Sequence, residues 1–393
     1  MTEKLYWKEP YSKKFEGRIV KKERFENGFK IVLDRTLFYP TSGGQLCDHG
    51  FLNGIRVIDV IEEEGEIVHI IDGDIGGEEI IGEIDWERRF DNMQQHTGQH
   101  ILSQAFFKVL RAETLSSSLG EEISVIEIDL NKIDWDEVEK VENLANKIVH
   151  ENREVFTHIL KGEEWKKFPL RKPPLKEEEI RIVEIKDFDF SACGGTHLSR
   201  TGEVGLIKIV GWERIRGNIR VEFLCGKRGI KDYQRKNKIL KNLSLSLTVG
   251  LDELYDSVLR MKEELLSERK RVAKLEERII DFLIEEILSS QEGILVKKIF
   301  EGIDLKNLRK IASRIISLRE CVVIIGNRGE KGNLIIACPE RMPLDLRAFL
   351  EIAEEKLKGK GGGTKNFIQV GGEPELLEYT IREIEKEILK ILN

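Results

Sequence analysis

The sequence predicts a multidomain α+β protein, and three observations carry that expectation. Short alternating apolar runs broken by Gly and Asn fill Phe15 to Asp85. Two histidines four residues apart precede a Cys-x-x-x-His loop far downstream. A heptad pattern over Leu251 to Phe282 leads into a second region of mixed α and β character. The expected layout is an N-terminal β-barrel over 1–85, an α+β domain holding the histidine and cysteine motifs over 86–228, a helical coiled-coil segment over 229–291, and a small C-terminal α/β domain over 292–393. A chain of 393 residues is long enough for several domains and a sizeable core without a disulfide or metal staple.

Composition narrows the classes. With 40% hydrophobic and 34% charged residues the chain is ordinary for a globular protein. No stretch approaches the roughly 18 apolar residues of a membrane span, and the N-terminus lacks a signal-peptide apolar region; a cytoplasmic protein without a membrane partner is expected. Five cysteines without a secretory signal argue against a disulfide framework, and Cys47, Cys225, Cys321 and Cys338 sit in or beside apolar, strand-like stretches as inert residues. The net charge of −7 excludes a general nucleic-acid coat, so a polyanion must be met by local basic patches.

The barrel expectation rests on runs such as Gly28 to Leu33 and Glu66 to Ile71, where alternation and turn residues recur together. Inside this region, Phe38-Tyr39-Pro40-Thr41-Ser42-Gly43-Gly44-Gln45 is a loop whose Gly-Gly suits either a tight inter-strand turn or a close backbone approach to a ligand. A helix follows over Asn92 to Leu110 with Asp91 as its N-cap. At about 100° per residue, Ile101, Leu102, Ala105, Phe106 and Val109 gather on one side while His96 and His100 fall nearly opposite, toward another surface or a cavity. Glu122 to Leu130 reads as a strand, Asp136 to Arg153 as an amphipathic helix, Arg181 to Lys186 as a strand, and Val204 to Trp212 with Ile219 to Cys225 as a hairpin about Arg216-Gly217-Asn218.

Lys227, Arg228, Lys231, Arg235, Lys236, Lys238 and Lys241 are opposed only by Asp232, a solvated helix face or a polyanion contact. Leu251, Leu254, Val258, Met261, Leu265, Val272, Leu275, Ile279 and Phe282 keep a/d spacing with one break at Glu268, which predicts a long helix packed in a coiled coil or hairpin. Self-association as a homodimer, through this helix or the C-terminal domain, and packing onto the preceding basic helix are alternative uses of the stripe. Beyond Gly293, apolar strands at Ile294 to Phe300, Cys321 to Ile325 and Leu334 to Cys338 alternate with helices at Leu305 to Leu318, Leu344 to Leu357 and Pro374 to Leu392. The loop Gly359-Lys360-Gly361-Gly362-Gly363-Thr364-Lys365 is either a phosphate cradle or a flexible turn; it lacks the residue order of a P-loop.

His96 and His100 lie on one helix face, and Cys193 and His197 complete a four-donor set suited to Zn²⁺. One thiolate on a divalent ion leaves a net positive site, fit to stabilise an oxyanion in hydrolysis. Four protein donors also describe a closed structural zinc, and spacing alone leaves both readings open. Thr97 stands where His-Glu-x-x-His metalloproteases carry Glu, and the Cys-x-x-Cys and His-x-Glu of the zinc deaminases are absent.

Taken in order, Phe38 to Gln45, Asp85-Trp86-Glu87-Arg88-Arg89 with Met93 to His100, Ala192 to His197, and Thr201 to Gly205 through Arg220 to Phe223 resemble the editing half of alanyl-tRNA synthetases and the freestanding AlaX editing family. The glycine loop with Gln369 to Gly372 is similar to the C-terminal, DHHA1-like domain of alanyl-tRNA synthetase. The resemblance implies a zinc-binding editing domain over 86–228 and a trans-acting hydrolase of alanine tRNA mischarged with serine, with glycine as a second substrate and no aminoacylation activity. It implies metal positions, and hence the catalytic centre, at His96, His100, Cys193 and His197. It also implies an editing cleft at Thr41, Gly43, Gly44 and Gln45, and an amino-acid pocket along Thr114 to Leu119, with Thr114, Ser116 and Ser118 as candidate contacts. The family pattern has an aromatic residue and a histidine where this chain has Ser117 and Ser118, a departure that bears on serine against glycine. Lys231, Arg235, Lys236, Lys238, Lys360 and Lys365 become candidate tRNA contacts. The competing readings are a threonyl-type editing domain and a non-catalytic tRNA-binding protein with a structural zinc. A DHH phosphoesterase is disfavoured because Asp48-His49-Gly50 does not supply its motif.

Overall fold

Alternation along the N-terminal strands closes them into a barrel. In the computed structural model, which describes residues 2–170 and 179–392, the chain divides into two units, Met1–Ser246 and Leu247–Asn393. The first begins with β1 (Glu3–Lys4), the helical turn α1 (Leu5–Lys8), β2 (Lys14–Phe25), β3 (Gly28–Leu33), β4 (Arg35–Thr36), β5 (Gly50–Leu52), β6 (Ile55–Glu63), β7 (Glu66–Ile71) and β8 (Glu79–Ile84). Strands β2-β3-β7-β6-β5-β8 form the closed barrel, and β1 pairs with β4 in parallel. Ile31, Leu33, Val57, Ile67, Ile71, Ile80 and Ile84 fill the interior. His69 shares the inward face of β7 with Ile67 and Ile71, its Nε2 at 2.8 Å from Thr36 Oγ1 and its Nδ1 at 3.1 Å from the Ile31 carbonyl.

The next helix, α2 (Trp86–Leu110), begins six residues earlier than expected, because Asp85 rather than Asp91 accepts the N-terminal amide, here from Arg88. Asp91 is instead inside the helix and pairs with Arg228. Nor does α2 turn one face to solvent: every residue from Asn92 to Phe106 is buried. Met93, Ile101, Leu102, Ala105 and Phe106 enter the domain core, while Arg89, Asn92, His96, Gln99, His100 and Ser103 make a buried polar stripe at helical spacing. Residues 45–48 of the barrel loop lie along that stripe. Asp48 takes the Arg89 guanidinium through both carboxylate oxygens, Leu46 O lies 3.4 Å from Asn92 Nδ2, and Gln45 reaches His96. Arg89 is fully buried, and its remaining donors go to the carbonyls of Pro10 and Leu37. Bidentate geometry with saturated donors is the condition under which a buried ion pair offsets its desolvation.

Strands β9 (Thr114–Leu119), β10 (Ser124–Ile128), β14 (Ile207–Ile215) and β15 (Asn218–Cys225) form an antiparallel sheet in the order β14-β15-β10-β9. On it packs α3 (Trp135–His150), through Val138, Val141, Ala145, Ile148 and Val149, together with the apolar side of α2. Strands β11 (Val155–Lys161), β12 (Glu179–Ile185) and β13 (Asp189–Ala192) form a three-stranded meander that delivers the Cys193 to His197 loop. Gln94 and Gln95 of the histidine motif are structural: Gln95 exchanges two hydrogen bonds with the Cys225 backbone and Gln94 donates to Glu203 O. The basic run lies on α4 (Gly226–Leu247), most of it exposed.

The second unit holds α5 (Leu254–Ser290), β16 (Leu295–Glu301), α6 (Leu305–Leu318), β17 (Val322–Arg328), β18 (Gly332–Ala337), α7 (Leu350–Leu357), β19 (Lys360–Thr364), β20 (Phe367–Gly372) and α8 (Leu377–Leu392). Its sheet runs β16-β17-β18-β20-β19. Val322, Ile324, Leu334 and Ile336 face α7 and α8, whereas Val323, Ile325, Ile335 and Ala337 face α6 and the C-terminal end of α5. Two expectations change here. The glycine loop is the edge strand β19, paired from Lys360↔Gly371 to Thr364↔Phe367; glycines supply no hydropathy contrast by which a strand is read. And α5 buries Ile280, Ile284 and Ile287, while the heptad residues Val258, Met261, Leu265, Val272, Leu275, Ile279 and Phe282 are exposed in the single chain.

Burial of the His69 ring pushes its pKa from 6.5 down to about 4, against the opposing pull of the Ile31 carbonyl. The unfolded chain therefore binds this proton first as pH falls. The associated stability is complete above about 6.5 and is lost as pH drops toward 4, a change on the order of 3 kcal/mol. Urea unfolding at pH 7 and pH 4.5 should show a smaller pH-dependent loss in His69→Gln than in the wild type; equal losses would remove His69 as the source.

Candidate metal centre

Four donors converge from two segments. His96 and His100 come from the polar stripe of α2, and Cys193 and His197 from the loop after β13; their ligand atoms all lie within 4.8 Å of one another. Cys193 Sγ is 3.3 Å from both His96 Nε2 and His197 Nε2. A tetrahedral ion with metal–sulfur bonds near 2.3 Å and metal–nitrogen bonds near 2.0–2.1 Å needs S···N separations of about 3.5 Å, so the donor set fits such an ion. The three histidines are only 3% to 4% exposed.

The outer nitrogens fix the rings. His96 Nδ1 is 2.7 Å from Gln45 Oε1, which also accepts the Thr196 amide at 3.1 Å, while Gln45 Nε2 donates to Thr196 Oγ1. His197 Nδ1 is 3.3 Å from Thr97 Oγ1, itself an acceptor for the Leu198 amide. His100 Nδ1 lies 3.5 Å from Asp189 Oδ2, an ionic contact longer than a good hydrogen bond. Such partners hold each imidazole with Nε2 toward an ion and raise its basicity. Gly195 permits the convergence, because a Cβ there would stand 2.1 Å from His96 Cε1.

Electrostatics agree with the donor set. Burial opposes ionisation of Cys193, but the neighbouring His96 and His197 imidazoles hold its thiol well below the usual value. Burial, reinforced by His96, keeps His197 neutral. Burial also works against the His100 imidazolium, but Asp189 and the Cys193 thiolate outweigh it and lift the group to about 9. A thiolate and neutral imidazoles are the forms that bind metal, with a proton at His100 as the competitor.

The candidate substrate residues fall into two joined segments. Thr41, Gly43 and Gly44 are exposed in the turn that ends at buried Gln45. Gly44, at φ +81°, packs against Ser117, where a Cβ would meet the carbonyl at 2.6 Å, and its own carbonyl accepts the Leu119 amide. Gln45 itself is turned onto His96 and Thr196, so it orients the donors. Thr41 Oγ1 accepts from the Cys47 amide. Thr114 donates to Ser103, which also receives Gln99 of the α2 stripe; Ser116 and Ser118 are exposed. Among the basic residues, Arg235 and Lys236 share Asp232, whereas Lys231 and Lys238 project from exposed positions on α4. Lys360 and Lys365 are exposed at β19 and its turn. Sequence reading missed Thr97, Thr196 and Asp189; the first two are flagged only by adjacency to His96 and His197.

Residues 180–222, from β12 through the cysteine loop to β15, match the family model described as the threonyl and alanyl tRNA synthetase second additional domain. Fold and site thus define a protein of the tRNA-editing class. AlaX-L, an alanyl-tRNA editing protein of Pyrococcus horikoshii, is 33% identical over 404 aligned positions that cover 95% of this chain and 96% of the relative. The chain belongs to that family, and alanyl-tRNA editing, a translation-fidelity function, is the family's activity. It also aligns with the alanine–tRNA ligases of Pyrococcus furiosus, at 31% identity over 98% of this chain, and Pyrococcus abyssi, at 33% over 94%, spanning 42% of each ligase. The C-Ala domain of Aquifex aeolicus alanyl-tRNA synthetase matches 23% of this chain and 94% of that domain at 25% identity, with a TM-score of 0.21. No helix among the described residues is long and apolar enough to cross a membrane.

Gln45→Ala removes the acceptor of His96 Nδ1 and should weaken metal binding about 10–100-fold. Chelator competition on the two proteins reads this directly, and equal affinities would exclude Gln45 as an orienting group.

Proposed function

We propose that this protein hydrolyses the aminoacyl ester of alanine tRNA mischarged with serine, and secondarily with glycine, acting in trans at a Zn²⁺ held by His96, His100, Cys193 and His197. The observation that carries the reading is the meeting of this donor cluster, through Gln45 and Gly44, with the Thr114 to Leu119 strand. In the reaction, water oxygen bonds to the ester carbonyl carbon, the bond from that carbon to the ribose oxygen breaks, and a proton passes to the released ribose hydroxyl. A zinc ion held by these four residues would supply a net positive centre for the negative charge that develops on the carbonyl oxygen. Gln45, Thr97 and Asp189 keep the three imidazoles oriented throughout. Thr41, Thr114 and Ser116, with Ser118 beside them, are the hydroxyls we assign to the serine side chain, which gains hydrogen bonds there that the alanine methyl cannot make.

The second reading, a closed structural zinc in a non-catalytic tRNA-binding protein, is favoured by the four protein donors themselves. Deacylation of serine-, glycine- and alanine-charged alanine tRNA, with and without chelator, separates the two. The expected result is rapid loss of serine, slower loss of glycine, retained alanine, and abolition by chelator. His100→Ala should lower kcat by at least about 100-fold, whereas Lys231→Glu with Lys238→Glu should raise KM and flatten its salt dependence. Activity untouched by His100→Ala or by chelator would refute the catalytic zinc.

The exposed stripe from Val258 to Phe282 supports a homodimer contact. Sedimentation equilibrium should give a dimer that Leu265→Asp with Leu275→Asp converts to a monomer; a monomeric wild type would rule this out.

A further inference from the structure

We propose that Arg181 and Trp7 form a carbonyl clamp on the Cys193–Gly195 turn, and that both are positioning residues for the metal centre. The inference rests on the reading of His96, His100, Cys193 and His197 as metal donors. All three carbonyls of the turn are held from outside. Arg181 donates from one terminal nitrogen to Cys193 O at 2.9 Å and to Gly195 O at 2.7 Å, and the Trp7 indole donates to Gly194 O at 2.7 Å across 187 residues of sequence. With the carbonyls so committed, the amides face the donors: Gly195 N–H points to Cys193 Sγ at 3.4 Å and Thr196 N–H to Gln45 Oε1 at 3.1 Å. An N–H···S contact draws charge from a thiolate, and a peptide flipped the other way would set a carbonyl dipole against it.

The side chain of Arg181 is costly for strand packing alone. It is only 5% exposed, sits on β12 between buried Ile180 and Ile182, and pairs with no carboxylate among the described residues. Among the described residues, its second terminal nitrogen reaches only Thr157 Oγ1, at 3.4 Å, and its Nε has no hydrogen-bond partner. A buried charge without a counter-ion is strongly disfavoured. The compensations at hand are the loop carbonyls and the Cys193 thiolate, which makes the guanidinium part of the centre's charge balance. Trp7 contributes differently: α1 brings it from the start of the chain, and Lys4 Nζ lies 4.8 Å from the centre of its ring.

The test uses full-length protein loaded with Co²⁺, because cobalt reports its ligand field and its thiolate bond in the visible and near-ultraviolet spectrum. Wild type, Trp7→Phe, Arg181→Lys and Arg181→Met are compared for the thiolate-to-cobalt band, the rate of cobalt loss to a chelator, and melting temperature. Arg181→Met should shift the band and speed metal loss about 10–100-fold. Arg181→Lys, which keeps the charge but not the planar fork, should fall between it and the wild type, and Trp7→Phe should speed loss several-fold with the ring retained. A lowered melting temperature in Arg181→Met with wild-type spectrum and metal-loss rate would overturn the proposal; if Arg181→Met does not fold, a wild-type spectrum and loss rate in Arg181→Lys would do so. A wild-type chain that takes up neither cobalt nor zinc would overturn the donor assignment itself.

Discussion

One buried amide ties the first unit together. Through Oε1, Gln45 accepts from His96 and from the Thr196 backbone; through Nε2 it donates to Thr196 Oγ1. Its backbone bridges to Leu119. The barrel loop, the donor helix, the cysteine loop and the candidate pocket strand thus meet at one residue. Without that side chain two buried donors lose their acceptor, each at a cost of about 1–3 kcal/mol. The barrel is consequently part of the centre, since its loop orients a donor.

Helix α2 is unusual in burying polar residues along more than half its length, and its neighbours account for this. Most polar members of the stripe meet a hydrogen-bond partner: Arg89 meets Asp48, Asn92 the Leu46 carbonyl, His96 the Gln45 amide, and Ser103 both Gln99 and Thr114, while His100 has an ionic contact with Asp189. The opposite side is ordinary core packing. A helix with specific partners on one face and apolar contacts on the other has one register against the loop, and that register sets where the histidines stand.

The legible parts of the sequence were those with a covalent or periodic ruler. Histidines at i and i+4 and the Cys-x-x-x-His spacing survive any uncertainty about element boundaries, so the four donors could be named before their convergence was seen. Alternation marked the barrel strands equally well. Where residue chemistry gives no contrast, reading failed: β9 is Thr-Leu-Ser-Ser-Ser-Leu and β19 is Lys-Gly-Gly-Gly-Thr, neither of which alternates clearly in hydropathy. The start of α2 was misplaced because Asp85 and Asp91 are both competent caps, and only the fold shows Asp91 bound to Arg228. The heptad residues of α5 were seen as a stripe, but the stripe buried within the unit is Ile280, Ile284 and Ile287. Arg181, Asp189 and Trp7 had no signal at all, since their roles depend on contacts between distant segments.

The order of the donors along the chain also has a bearing on biosynthesis. His96 and His100 leave the ribosome with the barrel already made, but Cys193 follows 97 positions after His96. At about 5–20 residues per second, the half-built centre waits roughly 5–20 s for its thiolate. During that interval α2 has Gln45 and Asp48 at hand and β10 is made, but β15, a central strand of the sheet against its other side, follows only after Cys193. Until Cys193 and His197 are made, the nascent barrel and helix hold two of the four donors.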